Sequence, residues 1–141
     1  MQTRYHSKGL AGLVLSGSAL RIRAVREIVF FRAELGDSPV EDFLDSKSPD
    51  VRAKIVRTLE LLRTLPMVPS KFWQKMRGTS SLWELRVEYG GNIFRVLATT
   101  AKANRVILLH AFQKKSRKTP LQDIEIATQR QKRYFQRHGY L

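Results

Sequence analysis

The chain has 141 residues, enough for about one compact domain, and its 43% hydrophobic and 27% charged residues are typical of a globular protein. No stretch approaches the roughly 20 consecutive apolar residues of a membrane-spanning helix, and the lack of cysteine excludes disulfides, thiolate nucleophiles and cysteine-bound metals. The formal net charge of +14 predicts a polyanionic partner, and a chain that needs no oxidising compartment is expected in the cytoplasm.

Residues 1–22 show neither helical nor strand periodicity over any length. They combine a basic start with small residues and a short apolar stretch. We expect a disordered extension here, followed by a single domain over residues 23–141. A secretory signal is the alternative, but Gly12, Ser16 and Ser18 interrupt the apolar character, and no small-x-small cleavage site leads into a mature domain.

A strand and a helical hairpin come next. Residues 25–31 are mostly β-branched or aromatic, which favours a strand. Ser38 and Ser48 each precede a proline, the pattern of an N-cap and a first helical position, and Glu41 completes a capping box with Ser38. The first helix is expected to end near Lys47. The second carries one apolar stripe and stops before the next proline, and the stripe consists of Val51, Ile55, Leu59 and Leu62.

Residues 66–81 are predicted to form a connecting loop. Three basic residues, Lys71, Lys75 and Arg77, surround Trp73 in this segment. Basic residues beside an aromatic ring are typical of a nucleic-acid-binding edge. The alternative is structural, with Trp73 filling the space beneath the loop.

Three strand-like runs at residues 82–89, 93–99 and 105–113 predict an antiparallel meander. The Gly90-Gly91 pair supplies the positive φ angles that a tight hairpin needs, and residues 100–104 form a longer second turn. Alternation gives the first strand an apolar face and a charged one, formed by Trp83, Leu85 and Val87 and by Glu84, Arg86 and Glu88, respectively.

A last helix is predicted after the basic run at residues 114–118. Thr119 is its expected N-cap, Pro120 its first residue and Gln122 the partner in a capping box. Its apolar stripe is formed by Leu121, Ile124, Ala127 and Tyr134.

The positive charge is concentrated in the second half of the chain. Residues 23–70 contain eight basic and eight acidic residues, whereas residues 71–141 contain fifteen basic and four acidic ones. A basic face can serve solubility alone. However, like charges in one compact body repel each other, so an imbalance of this size predicts a polyanion-binding surface in the second half.

Four of these basic side chains are candidates for a shared site. Residues two apart in a strand share a face, so the last strand is expected to carry Val106, Leu108, His110, Phe112 and Lys114 on one side. If the meander pairs as its hairpins require, four side chains approach one another across the sheet, namely Arg86, Arg95, His110 and Lys114. Four potential cations on one patch need an anion to stabilise them.

An RNA phosphodiester is an anion that this set could act on. Its cleavage requires charge stabilisation at the pentacoordinate phosphate, a base for the 2′-hydroxyl and an acid for the 5′-oxygen. Arginine matches phosphate oxygens, a lysine crowded by cations can transfer protons, and histidine titrates near neutral pH. Each residue also has a structural interpretation. Arg86 could pair with Glu84 or Glu88, Arg95 could form a structural ion pair, His110 could be a core residue, and the 114–118 run could be a solvated turn.

Other chemistries lack their residues. The three histidines, His6, His110 and His138, are scattered without metal-ligand spacing, which argues against a zinc site. The chain also contains no phosphate-binding P-loop and no dinucleotide-binding glycine pattern.

Four segments in this order resemble the RelE/ParE toxin superfamily, specifically its phage-derived HigB-like branch. They are residues 82–86 (LWELR), 94–96 (FRV), 108–115 (LLHAFQKK) and 118–120 (KTP), and the similarity covers about residues 26–134. The resemblance implies a RelE-like α+β fold with one N-terminal strand, a helical hairpin, a three-stranded antiparallel meander and a C-terminal helix. It places the active surface on the concave face of the meander.

The resemblance also implies a function. It suggests a type II toxin that cleaves mRNA on the translating ribosome without a metal or other cofactor and is inhibited by a helix-turn-helix antitoxin of the HigA kind. The family's strand arginines correspond to Arg86 and Arg95, many members of the branch have histidine at the position of His110, and the family's basic segment corresponds to Lys114, Lys115 and Lys118. The remaining basic residues are expected to bind RNA, and the full RNA-binding set is Lys71, Lys75, Arg77, Lys115, Arg117 and Lys118.

Two other functions compete with this one. The ParE branch inhibits DNA gyrase without catalysis, although the charge of the second half and the Lys114-Lys115 pair favour RNA. The third reading is an inactive phage remnant that binds nucleic acid, and absence of growth arrest on expression would support it.

Overall fold

A computed structural model describes residues 24–115, 117 and 119–139, and the expected extension at residues 1–22 lies outside these ranges. The mixed α+β class predicted from the sequence is confirmed. None of the helices in the described ranges is long and apolar enough to cross a membrane. The elements in chain order are β1 (Glu27–Phe30), α1 (Pro39–Asp45), α2 (Pro49–Thr64), β2 (Trp73–Lys75), β3 (Trp83–Tyr89), β4 (Asn92–Ala101), β5 (Arg105–Lys114) and α3 (Leu121–His138).

The strands form one sheet in the order β1-β5-β4-β3-β2. The meander β3-β4-β5 is antiparallel, as predicted, and β1 runs parallel to β5. Gly90 and Gly91 have φ angles of 58° and 81°, so the two-residue turn between β3 and β4 depends on glycine as expected. This turn sets Tyr89 opposite Asn92 and thereby fixes the register of the whole hairpin.

The strand count was predicted wrongly, because residues 73–75 form a short edge strand inside the expected loop. Trp73 lies opposite Leu85 and Lys75 opposite Trp83. Three residues are too few to show a period of two, and β2 depends on pairing with β3 rather than on its own sequence. Trp73 is buried and stacks on Trp83 with 5.1 Å between ring centroids, which confirms the structural interpretation of this tryptophan.

A β-bulge interrupts the pairing of β4 with β5. Leu97 lies opposite His110, but the next residue of β4, Ala98, lies opposite Leu108. Leu109 is therefore the extra residue on β5, and the alternation of faces reverses across it.

The bulge overturns the expected parity of the last strand. Val106 and Leu108 belong to the core between the sheet and the helices α1 and α2. His110, Phe112 and Lys114 instead point to the opposite face, because the extra residue shifts them by one. The sequence pattern does not reveal this reversal, since residues 106–109 are all apolar and none of them marks the extra position.

The starts of α1 and α2 follow the predicted signals. Pro39 opens α1, but Ser38 makes no capping bond to the backbone, and its hydroxyl instead donates to Glu41 Oε1 at 2.6 Å. The Ser48 hydroxyl accepts from the Val51 N–H at 3.3 Å, as an N-cap should. Helix α1 ends at Asp45 and α2 ends at Thr64, before Pro66.

The predicted capping box of α3 is wrong. Pro120 is the N-cap residue, and no side chain caps the helix. The Thr119 hydroxyl donates to Glu84 Oε2 at 3.0 Å instead, which ties the start of α3 to β3. Leu121 is 76% exposed and does not belong to the core, whereas Ala127 and Tyr134 are buried as predicted.

Two cores lie on opposite faces of the sheet. Helices α1 and α2 cover one face, and Val40, Ile55 and Leu59 pack there against the strands. Helix α3 covers the opposite face only in part, where Ala127 and Phe135 belong to the second core. The uncovered part of this face carries the candidate site.

Candidate active site

The site is built around two arginines on neighbouring strands. Arg86 of β3 lies directly opposite Arg95 of β4. The Arg86 N–H is donated to the Phe72 carbonyl, away from β4, so these arginines form a non-hydrogen-bonded pair, the type in which opposite side chains come closest. Like charges in such a pair destabilise the sheet. The structure thus brings together the two arginines singled out from the sequence, and their juxtaposition favours an anionic ligand.

Each arginine also has a carboxylate partner. Arg95 forms a salt bridge with Glu84, and both side chains are nearly buried, with 11% and 6% exposure. Arg86 pairs with Glu88 at 2.7 Å, but this pair is solvent-exposed. The Nε atoms of Arg86 and Arg95 are buried and have no hydrogen-bond partner among the described residues. Buried donors without partners are costly, and a ligand at the surface would contact the terminal guanidinium nitrogens instead.

Glu84 is the site residue that the sequence interpretation missed. It is 5% exposed, and its Oε1 accepts from Arg95 while its Oε2 accepts from Thr119. One carboxylate therefore fixes an arginine of β4 and the chain just before α3. Alternation had placed Glu84 on the face of Arg86, but no local pattern indicated the contact with Thr119.

Lys114 lies on the same face, opposite Ile93 and therefore two residues along the strands from the Arg95–Phe112 pair. Partial burial lowers the pKa of Lys114, and the positive charge of Arg95 lowers it further. Glu84 opposes this shift, whereas Arg86 adds to it. Lys114 is thus electrostatically coupled to the arginine pair. We call the surface formed by Glu84, Arg86, Arg95 and Lys114 the basic face.

His110 lies on the same face but at its boundary with α3. Its side chain is 14% exposed, and its Nε2 lies 2.6 Å from Asp123 Oδ1. Its Nδ1 lies 3.3 Å from an Arg130 nitrogen that also donates to the Leu109 carbonyl at 2.8 Å. Both ring nitrogens are therefore engaged.

The surroundings of His110 also determine its titration. Burial lowers the pKa of His110, and the hydrogen bond and negative charge of Asp123 oppose this, while Arg130 lowers the pKa further. Since Arg130 can only donate, the Nδ1 atom acts as the acceptor and the Nε2–H is donated to Asp123. The ring is held in one tautomer by residues of α3.

The other basic candidates are divided among several surfaces. Lys71 and Arg86 border a cleft of about 120 Å³ beside the arginine pair. Lys115 and Arg117 border a depression together with Lys114 on the other side. Lys75 lies opposite Trp83, whose side chain packs on the face covered by α1 and α2, and Arg77 is exposed in the following turn. The structure therefore brings neither residue to the arginine pair. Lys118 lies outside the described residues.

Metal ligands are not gathered at this site. Within residues 24–115, 117 and 119–139, no three or more His, Asp or Glu side chains lie close enough together to hold a metal ion. The basic face itself presents guanidinium, ammonium and carboxylate groups.

Comparison with known protein families identifies a family for this chain. Residues 42–132 match the family described as phage derived protein Gp49-like (DUF891), which is associated with RelE-like toxins. The matched region contains β2 to β5 and all residues of the basic face. No curated protein matches the chain. Since the match covers more than half of its length, the chain belongs to the Gp49-like family of phage-derived proteins.

Proposed function

We propose that this protein is the toxin of a type II toxin–antitoxin system, of the HigB-like branch of the RelE/ParE superfamily, and that it cleaves mRNA on the ribosome. The observation that carries the proposal is the opposed pair Arg86 and Arg95 on an uncovered sheet surface, with Lys114 beside it. Membership of the Gp49-like family supports it, because that family is associated with RelE-like toxins.

The arginine pair would hold the scissile phosphate. The Arg86 side chain is 37% exposed, and its terminal guanidinium nitrogens would donate to a phosphate oxygen. Arg95 lies directly opposite and would add its positive charge. The 2′-oxygen would lose its proton to solvent water as it bonds to phosphorus, and the bond from phosphorus to the 5′-oxygen would break, leaving a 2′,3′-cyclic phosphate. Negative charge develops on the phosphate oxygens during this step. Guanidinium groups that are already fixed in place stabilise this charge without having to reorganise.

Lys114 would protonate the leaving 5′-oxygen. Its lowered pKa makes the Lys114 ammonium a better acid than that of an ordinary lysine. Lys114 also lies opposite Ile93, two residues along β4 from Arg95. His110 has the more suitable intrinsic pKa, but Asp123 and Arg130 engage both of its ring nitrogens. We therefore assign the proton transfer to Lys114 and the orientation of α3 to His110.

Two polyanions and one protein are the proposed partners. Exposed cations around the basic face, including Lys71, Lys115 and Arg117, would contact mRNA and ribosomal RNA, so binding would weaken with rising salt concentration. A helix-turn-helix antitoxin of the HigA kind would inhibit the toxin. We propose that the toxin acts in the cytoplasm and that the antitoxin binds it there.

The proposal is tested by primer extension on an mRNA in a reconstituted translation reaction, with and without ribosomes. We expect ribosome-dependent cuts with the full chain and none with Arg86→Ala. The matched control is Arg105→Ala, because Arg105 is also a half-exposed strand arginine paired with an exposed glutamate, Glu27, and lies at the far end of β5. If the intact chain makes no cuts, the endoribonuclease assignment fails, and inhibition of gyrase supercoiling becomes the next activity to measure.

A further inference from the structure

A second concave surface adjoins the basic face at the edge of the sheet. It is a groove of about 370 Å³ between α2 and the outer edge of β3, within the range of small-ligand sites. Thr58 and Leu61 of α2 form one wall, and Val87 of β3 and Phe72 form the other. Leu61 is 44% exposed, so an apolar side chain faces this groove without being covered.

The groove is continuous with the cleft beside the arginine pair. Lys71, Phe72 and Arg86 border both. A chain whose phosphate lies on Arg86 and Arg95 would therefore extend over the edge of β3 and reach the groove with its next unit.

The composition of the groove fits a nucleotide. Leu61 and the ring of Phe72 give it apolar surface, while Lys54, Lys71 and Arg86 supply cations. Single-stranded nucleic acids are bound by this combination, in which bases pack on aromatic and apolar surface and cations hold the backbone. Glu88 also borders the groove and can accept a hydrogen bond from an exocyclic amino group of a base.

An added peptide strand fits less well. Strand β3 continues beyond the end of β2, but the outward-facing N–H of Arg86 is already donated to the Phe72 carbonyl. Between Arg86 and the turn at Gly90, only Glu88 has both its N–H and its carbonyl directed away from β4. One residue is too short an edge for an added strand to pair with.

We propose that the groove between α2 and β3 binds one nucleobase of the RNA strand whose phosphate lies on Arg86 and Arg95. This inference rests on the proposed function and adds a base-recognition subsite to it. Because Glu88 is the acceptor at the rim, the subsite favours bases that carry an amino group.

The test is an abasic scan with the full 141-residue chain. Binding of a 2′-O-methyl hexanucleotide RNA is measured by fluorescence anisotropy, with the base removed at each position in turn. We expect removal of one particular base to weaken binding about tenfold, the effect of losing one base contact of this kind. Leu61→Glu blocks the groove and should abolish this position-specific penalty.

Leu65→Glu is the matched control, since Leu65 follows the end of α2, is 37% exposed and does not line the groove. It should retain the penalty. A penalty that persists in Leu61→Glu, or a flat scan in a chain that binds RNA through Arg86, would overturn the subsite and leave the proposed function standing. A chain that does not bind the hexanucleotide at all would also overturn the subsite, whereas the proposed function fails only if the chain makes no ribosome-dependent cuts.

Discussion

Two halves of one sheet surface are built from the same strands but covered differently. In one half Leu97 and Ile107 are completely buried beneath α3. In the other half, which starts two residues earlier along β4 at the nearly buried Arg95, Arg86 and Lys114 face an open surface. The position at which α3 begins thus decides which part of the sheet can meet a large ligand.

The two candidate proton carriers illustrate the difference. His110 lies at the covered boundary, where Asp123 and Arg130 hold its ring. Lys114 lies in the open half, where its main electrostatic neighbours are the arginines. Intrinsic acidity favours the histidine, but access to the phosphate favours the lysine. Substitutions in the two halves test this difference.

The largest loss of cleavage is expected from the arginine pair. Arg86→Ala and Arg95→Ala should each reduce the cleavage rate by about 10²- to 10³-fold, the effect of losing one preorganised donor to a developing oxyanion. Only Arg95→Ala should also lower the free energy of unfolding, by about 3 kcal/mol, because it leaves Glu84 buried without its cation. Primer extension and urea denaturation measure the two effects. Equal stability of both variants would contradict the structural role given to the buried ion pair.

Lys114→Ala should be the next most damaging substitution. Loss of a positioned general acid is expected to reduce cleavage about 100-fold, whereas His110→Gln should reduce it less than about tenfold. Lys114→Arg serves as the control for charge, since it keeps a cation but has no readily transferable proton. A greater loss in His110→Gln than in Lys114→Ala would reverse the assignment of the two residues.

Thr119→Val tests whether Glu84 needs its second contact. The substitution removes the hydroxyl that donates to Glu84 Oε2 and preserves the size of the side chain. Since Glu84 positions Arg95, we expect cleavage to be three- to tenfold slower. This corresponds to a rise of about 1 kcal/mol in the activation free energy, the typical net contribution of one hydrogen bond. The matched control is Thr128→Val, because Thr128 donates only to the Ile124 carbonyl within α3. The same loss in both variants would indicate a general effect on α3 rather than one on Arg95.

Much of the fold could be predicted because its signals are local. Ser48 followed by Pro49 started α2 as expected, and Gly90-Gly91 formed the two-residue turn. Strand β2 and the bulge at Leu109 were missed because each depends on how two strands pair, and neither changes the local sequence pattern.

The same distinction applies to the site. The opposition of Arg86 and Arg95 follows directly from the two-residue turn, so hairpin register and alternation suffice to bring them together. The contact of Glu84 with Thr119 joins residues 35 positions apart, and the local pattern at Thr119 wrongly indicated a helix cap. Tertiary contacts of this kind become visible only when α3 is placed on the sheet.

The smallest expected effect is a pH dependence of stability at the covered boundary. The pKa of His110 is lowered from its ordinary value of 6.5, so the unfolded chain takes up this proton at a pH where the folded chain does not. The contribution of His110 to stability is therefore complete above about pH 6.5 and is lost as the pH falls towards the lowered pKa. Between about pH 7.5 and pH 5.5, the Tm of the unmodified protein should fall more than that of His110→Gln. Groups that do not contact His110 are present in both proteins, so their contributions cancel in the difference. A Tm that rises on acidification relative to His110→Gln would mean that a protonated His110 paired with Asp123 is the more stable form. The His110 ring would then be available as a proton donor, and the assignment of proton transfer to Lys114 in the open half would lose its basis.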